Sequence, residues 1–295
     1  MIGIGRAGRL ALIGLPLVWL TLFFLLPLLI VAKISFSESV IGVPPYAPLV
    51  TSEGNGLRLH ATMANFTLLV SDDLYLRAYL GSLANAALAT VICLLVGYPI
   101  AYAIAGAPAG RRQLFVFLVL LPFWTSFLIR VYAWIAILKP NGLVNQLLTA
   151  IGLITTPLPL LNNRFSVELG LVYSYLPFMI LPLYGRLSTL DSSLLEAAAD
   201  LGARPLQVFL RVIWPLSLPG VAAGSLLVLI PAVGEFVIPD LLGGPDTLMI
   251  GKVLWDEFFS NHDWPAASAV ALVLITVLAV PILISQRFLG REPPG

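Results

Sequence analysis

Asp191-Ser-Ser-Leu-Leu-Glu196-Ala-Ala-Ala-Asp200-Leu-Gly202-Ala-Arg204-Pro205, followed by Leu206-Gln-Val-Phe-Leu-Arg-Val-Ile-Trp214 and Pro215, is the most informative stretch of this chain. It spells two short helices. Asp191 or Ser193 can cap the first, and Ser193 with Glu196 fits a capping box. Leu187, Leu190, Leu194 and Leu201 recur at helical spacing on one face. Gly202 suits the position just past a helix end, where a positive φ is needed. Pro205 suits the first turn of the next helix, to which Leu206, Phe209, Leu210 and Ile213 give an apolar side. Pro215 is expected to stop that helix before the next apolar run begins. Glu196 and Asp200 stand one turn apart, where they can pair with basic groups on a partner. Ala197, Ala198 and Ala199 leave room for close approach. Read alone, this is a helical hairpin capped for stability; a capped pair also transmits displacement better than a floppy loop does.

The flanking sequence is what makes such a hairpin useful. Hydrophobic residues make up 59% of the 295 and charged residues only 11%, where a soluble domain carries about 25% charged. The apolar residues fall into six blocks, near 10–34, 79–105, 114–138, 167–187, 217–239 and 266–287. Each is long enough to cross a bilayer as a helix. The fold class is therefore an all-α membrane protein with six transmembrane helices. Gly97, Pro99, Pro122, Pro177 and Pro182 are expected to kink their helices, and Pro231 and Pro239 to break the outer end of the fifth. The run 10–32 exceeds a signal peptide's apolar core, so it is expected to remain as an uncleaved first span. Residues 1–78 are read as that span plus an extracytoplasmic loop, 79–287 as the main transmembrane domain with the helical hairpin at 188–215, and 288–295 as a tail.

Basic residues orient the chain. With the N-terminus inside, the short inner segments hold Arg6, Arg9, Arg111, Arg112, Arg186, Arg204, Arg211, Arg287 and Arg291. The longer outer segments hold only Lys33, Arg58, Arg77, Lys139, Arg164 and Lys252. The bias places both termini and the 188–215 loop in the cytoplasm. Outer loops carry most of the acid. Residues 139–166 read as loop with one short helix, and 253–259 as an amphipathic stretch at the interface, near Trp264.

Several chemistries are excluded. The net charge of +1 gives no reason to expect nucleic-acid binding. No phosphate-binding Gly-x-x-x-x-Gly-Lys-[Ser/Thr] loop occurs; the nearest string, 246–253, has Asp in place of the first Gly and Val in place of Ser or Thr. No His-Glu-x-x-His, no Cys/His cluster and no Gly-x-Ser-x-Gly elbow is present, so no catalytic site or metal site is expected in this chain. Cys93, the single cysteine, reads as a small core residue. Asn65-Phe-Thr67 matches a glycosylation sequon, a pattern common by chance.

The hairpin loop resembles the coupling loop of type I ABC importer permeases. The signature stands here as Glu196-Ala197-Ala198, Gly202, Val212, Trp214 and Pro215, with Trp214 where that family usually has Leu. The resemblance implies that Glu196, Ala197, Ala198, Asp200, Gly202, Arg204 and Pro205 dock on a separate ATPase, which binds ATP and Mg; no cofactor is expected in this chain. Further strings narrow the likeness: Gly97-Tyr-Pro-Ile-Ala-Tyr102, the stretch from Pro122 to Trp134, Asn141-Gly-Leu143, the stretch from Gly234 to Asp246, and 250–268. These resemble the first permease subunit of polyamine importers, and the putrescine type most of all. They imply a permease of the bacterial inner membrane for putrescine or spermidine. The implied partners are a second homologous permease, two ATPase subunits and a periplasmic polyamine-binding protein.

Two charges stand at membrane depth, Arg130 and Glu235. Counted along straight helices from Gln113 and Ser217, they lie about 26 and 27 Å in, near the outer boundary. They are read either as a structural ion pair, with Arg130 alternatively snorkelling to headgroups, or as part of a substrate path. On the second reading Glu235 meets a cationic cargo, with Asp240 and Asp246 above it. Trp124, Tyr132 and Tyr175 could face ammonium groups; interfacial aromatic belts are the alternative for Trp134 and Tyr173. Rival functions are the same architecture importing another small solute, a secondary transporter, or a polytopic membrane enzyme.

Overall fold

The computed structural model describes the backbone of residues 6–53 and 56–289 and the side chains of 12–51 and 58–284. The expected tail at 288–295 lies almost wholly outside the described residues, as do the side chains of Arg6, Arg9, Arg287 and Arg291. Six helical segments are long and apolar enough to cross a membrane: Leu12–Ser35, Asp73–Ala105, Phe127–Ala150, Arg164–Leu187, Pro205–Val233 and Trp264–Ile284. By contacts the chain divides into two compact units, one of residues up to Leu76 with Leu254–Val277, the other of Arg77–Val253 with the residues from Leu278 onward.

In the first unit, α1 (Arg6–Leu20) and α2 (Leu26–Ser35) are joined by a π-turn at Thr21–Leu25. The apolar window of this helix is not buried. Beyond it the loop forms an antiparallel pair, β1 (Val50–Glu53) and β2 (Gly56–Leu59), with Thr51 opposite Arg58. Then come α3 (Ala64–Ser71) and the start of α4 (Asp73–Ala105). Asn65 of the sequon is buried, and its Nδ2 donates to the carbonyls of Ser35 and Ser37 at 2.8 and 2.9 Å. It is thus a structural tie between α3 and the end of α2. Tyr75 donates its hydroxyl to Glu257 Oε1 at 2.7 Å, and Phe258 stacks on Trp264 at 5.0 Å.

The second unit contains most of the remaining elements. After α4 come α5 (Ala109–Leu120), a 3₁₀ turn at Leu121–Trp124, α6 (Phe127–Leu138) and α7 (Leu143–Ala150). The third span, expected over 114–138 with a kink at Pro122, is broken outright at that proline. Pro122 has no N–H and crowds the preceding turn, and Thr125 and Ser126 take extended backbone (ψ 150° and 136°). Thr125 Oγ1 donates to the Pro122 carbonyl at 2.8 Å and seals the break.

Next come α8 (Arg164–Leu187), α9 (Ser192–Asp200), α10 (Pro205–Val208), α11 (Trp214–Val233), α12 (Val237–Leu242), α13 (Ile250–Trp255) and α14 (Trp264–Leu289). α8 is the centre of this unit: 61% of its apolar window is buried. Asn163 opens it with a reciprocal cap, accepting from Ser166 N at 3.0 Å. α8 packs tightly on α11 because two glycines let the backbones meet. A Cβ on Gly224 would lie 2.8 Å from Met179 Sδ, and one on Gly220 would lie 2.9 Å from Arg186 Cβ. Cys93 is buried in this core, as expected.

Pro215 does not stop the second hairpin helix. α10 runs through a π-turn at Phe209–Ile213 into α11, so Pro205–Val233 is one continuous helix. The π-turn, in which the Trp214 N–H reaches back to the Phe209 carbonyl, sits directly before the proline, where a regular helix would meet a clash with the ring. The expected break at the far end of the fifth span is present: α11 ends at Val233 and the chain re-enters a short helix at Val237.

Candidate functional site

Two features are candidates for a functional site: the exposed hairpin between α8 and α11, and the polar groups near the opposite ends of those helices. In the hairpin, Asp191 rather than Ser193 caps α9, its Oδ1 accepting from Ser193 N at 2.9 Å. That backbone hydrogen bond holds the Asp191 carboxyl below its usual range. At the other end Gly202 takes φ +79°. The Gly202 N–H reaches the Ala199 carbonyl at 2.8 Å, and the Ala203 N–H reaches that of Ala198 at 3.1 Å. These are the two bonds of a Schellman stop. Arg204 N then donates to Gln207 Oε1 at 2.9 Å, and Pro205 opens α10.

Both short helices present their outer faces to solvent. Glu196, Ala197, Asp200 and Arg204 are exposed. So are Leu201 at 89% and Leu206 at 67%, with Leu194 and Leu210 beside them. Apolar side chains left open on a rigid, charged hairpin suit a protein-docking surface. From there the aromatic residues lead into the spans. Phe209 and Trp214 pack against Tyr98 of α4, at ring separations of 5.7 and 5.3 Å. The Tyr98 hydroxyl lies 2.9 Å from Ser217 Oγ. Arg186 Nε donates to the Leu216 carbonyl at 2.9 Å, tying the C-terminal end of α8 to the same helix. The large side chain of Trp214 is thus accommodated by Tyr98 and Phe209.

At the other end, the residues read as a path are only partly brought together. The Tyr175 hydroxyl donates to Glu235 Oε2. Glu235 Oε1 accepts from Val237 N at 3.0 Å and Ile238 N at 3.4 Å, so this carboxylate also fixes the start of α12. Asp240 pairs with Lys252 beside a cleft of about 320 Å³ lined by Asn162, Gly244 and Thr247. Asp246 is exposed. Trp124 (77% exposed) and Tyr132 (56%) lie at the surface. Arg130 makes no ion pair with Glu235: its guanidinium sits over Phe123 and Phe127 at 5.3 and 5.8 Å, and Nε and Nη1 are buried without hydrogen-bond partners. The break at 121–126 explains the difference, since a depth counted along one straight helix does not survive it. Trp134 packs on Tyr173 at 5.4 Å.

One buried charge escapes the sequence reading. Glu168, in the second turn of α8, is 7% exposed and neither of its oxygens has a hydrogen-bond partner. It falls at the edge of the expected span 167–187, four residues after Arg164. That spacing reads as an exposed helical pair, and only the packing around α8 reveals its burial.

Residues 111–292 match the family model described as "Binding-protein-dependent transport system inner membrane component". The spermidine/putrescine transport system permease protein PotB of Haemophilus influenzae is 42% identical over 269 residues, which is 91% of this chain and 90% of that one. PotB of Escherichia coli is 40% identical over 269 residues, 91% and 93% of the two chains. Among solved structures, a bacterial alginate ABC transporter in complex with an alginate pentasaccharide-bound periplasmic protein contains a chain with TM-score 0.73. That chain is 19% identical, and the match covers 99% of this chain and 98% of that one. Its likeness is one of fold.

Proposed function

Because the chain belongs to the family of binding-protein-dependent transport system inner membrane components, and so is a multi-pass inner-membrane permease rather than an enzyme, we propose that its cargo is a polyamine, putrescine or spermidine. The observation that carries this reading is identity of 40–42% along nine-tenths of the chain to permeases named for that cargo. The chemistry is compatible. A di- or tricationic amine leaving water needs anionic partners, since an unpaired charge in apolar surroundings is costly. Glu235 and Asp240 stand at the outer ends of the span bundle, with the Tyr175 ring beside the first.

In this reading the 188–215 hairpin is the coupling loop, in the cytoplasm together with both termini. Glu196, Ala197, Ala198, Asp200, Gly202, Arg204 and Pro205 meet a separate ATPase, of which the complex holds two copies and which binds ATP and Mg. Closure of the ATPase pushes the hairpin, and the continuous helix Pro205–Val233 carries the movement along α11 and, through Tyr98 and Arg186, to α4 and α8. A second, homologous permease completes the membrane domain, and a periplasmic binding protein delivers the amine. The test is ATP hydrolysis by the reconstituted complex of these subunits. Stimulation by binding protein loaded with putrescine or spermidine, and not by the empty protein, is the expected result. Stimulation only by a protein loaded with a non-amine solute would retain the importer and discard the polyamine.

A further inference from the structure

The loop after the first span folds back on the start of the last one. A bridge between Ser39 and Tyr46, with the Val40 N–H on the Pro45 carbonyl at 3.4 Å and the Ala47 N–H on that of Glu38 at 2.9 Å, closes residues 39–46 into a tight excursion. The Tyr46 ring meets Trp264 at 6.2 Å, and Phe258 stacks on the same indole at 5.0 Å. Loop and indole together line a cavity of about 600 Å³, with Val40, Ile41, Val43 and Trp264 as its apolar walls and Asn261 and His262 as its polar part. That volume is in the range of sites that take a small molecule. All of these residues belong to one compact unit. None of the described residues that line the cavity is Asp, Glu, Lys or Arg.

Position says what fills it. The first span ends at Ser35 and the last begins at Trp264. The loop therefore leaves one span end and rests on another, and both ends lie at one face of the membrane. The apolar window of the first span has no buried residue, so the loop continues an apolar surface left open along that span. From Ser39 to Ala47 the sequence carries no charge. At the tip, Ile41 and Val43 are fully exposed (110% and 102%). Apolar side chains held open in this way are unfavourable in water and suit the acyl region just beneath the headgroups. Tyr and Trp are the residues that settle at that boundary. A hydrocarbon tail needs no charged partner, and the Asn261 amide and His262 imidazole can donate to the ester or phosphate oxygens of the same lipid.

We propose that the loop 39–46 and Trp264 form a phospholipid site, in which one acyl chain lies in the cavity against Ile41 and Val43 and the loop tip enters the adjoining leaflet. The site rests on the chain's place in the membrane and not on the polyamine reading. The test uses the full importer, reconstituted in vesicles of phosphatidylethanolamine and phosphatidylglycerol, re-extracted in mild detergent and weighed by native mass spectrometry. The wild-type complex is expected to keep one phospholipid more than a variant that carries Ile41→Asp and Val43→Asp. Both side chains are fully exposed, so the variant is expected to assemble and melt as the wild type does. In a second measurement p-benzoylphenylalanine replaces Val43 in an otherwise wild-type complex. Irradiation is expected to yield a peptide that carries the mass of a phospholipid. Equal lipid retention by wild type and variant, or irradiation without a lipid adduct, whether no product forms or another subunit is captured, would overturn the site and leave the transport function standing.

Discussion

Glu235 does two things with one carboxylate. It accepts from the first amides of α12 and from the Tyr175 hydroxyl, so substitutions separate its structural role from its charge. Glu235→Ala removes every acceptor and is expected to destabilise the solubilised protein by about 2 kcal/mol or more, seen as a lower melting temperature. Glu235→Gln keeps an acceptor of the same shape. It is expected to leave assembly near wild type while weakening polyamine uptake. If Glu235→Gln prevents assembly, the residue is structural only. Asp191 offers a residue-scale test by pH. Its carboxyl is held below the usual range by the Ser193 amide. The cap therefore contributes fully above the ordinary carboxylate range near pH 4 and is lost as pH falls through the lowered value. Asp191→Ala is expected to speed hydrogen exchange of the first α9 amides at neutral pH, whereas acidifying the wild type to about pH 5 should not.

At the scale of elements, the hairpin depends on its stop and the bundle on its close helix contact. Gly202 sits at φ +79°, a conformation that costs an alanine roughly 1–2 kcal/mol. Gly202→Pro, or Glu196→Lys on the exposed face, is expected to leave membrane insertion intact and to uncouple ATP hydrolysis from uptake. Wild-type transport in both would remove the docking role from this loop. Gly224→Val forces atoms into Met179 and is expected to cost about 1–3 kcal/mol, measured as lost thermal stability in detergent. The sequence made these elements legible because each is marked by local chemistry: the cap at Asp191, the stop at Gly202, the proline after it, and long apolar runs. The third span and Pro215 were misread for one reason. A proline's effect depends on whether a 3₁₀ or π-turn absorbs the crowding, and that depends on packing around it rather than on neighbours in sequence. Glu168 was hidden for a similar reason, since its burial is imposed by elements far away in the chain. The pairing of Tyr175 with Glu235 likewise spans two helices, and no spacing rule reveals it.

For the molecule as a whole, the parts form one chain of cause. An apolar chain without a nucleotide loop embeds in the membrane. A rigid hairpin stays exposed between its fourth and fifth spans, and acidic groups collect at the far ends of the same helices. The continuous helix Pro205–Val233 joins them, connecting the hairpin to the turn that carries Glu235. The most direct test is uptake of labelled putrescine and spermidine by vesicles containing this chain with its second permease, ATPase and binding protein, for wild type and Glu196→Lys. ATP-dependent uptake of at least one amine by wild type, and none by Glu196→Lys, is the expected result for a coupling hairpin in a polyamine importer. Absence of uptake of either amine, in vesicles whose ATPase responds to a binding protein carrying another solute, would contradict it.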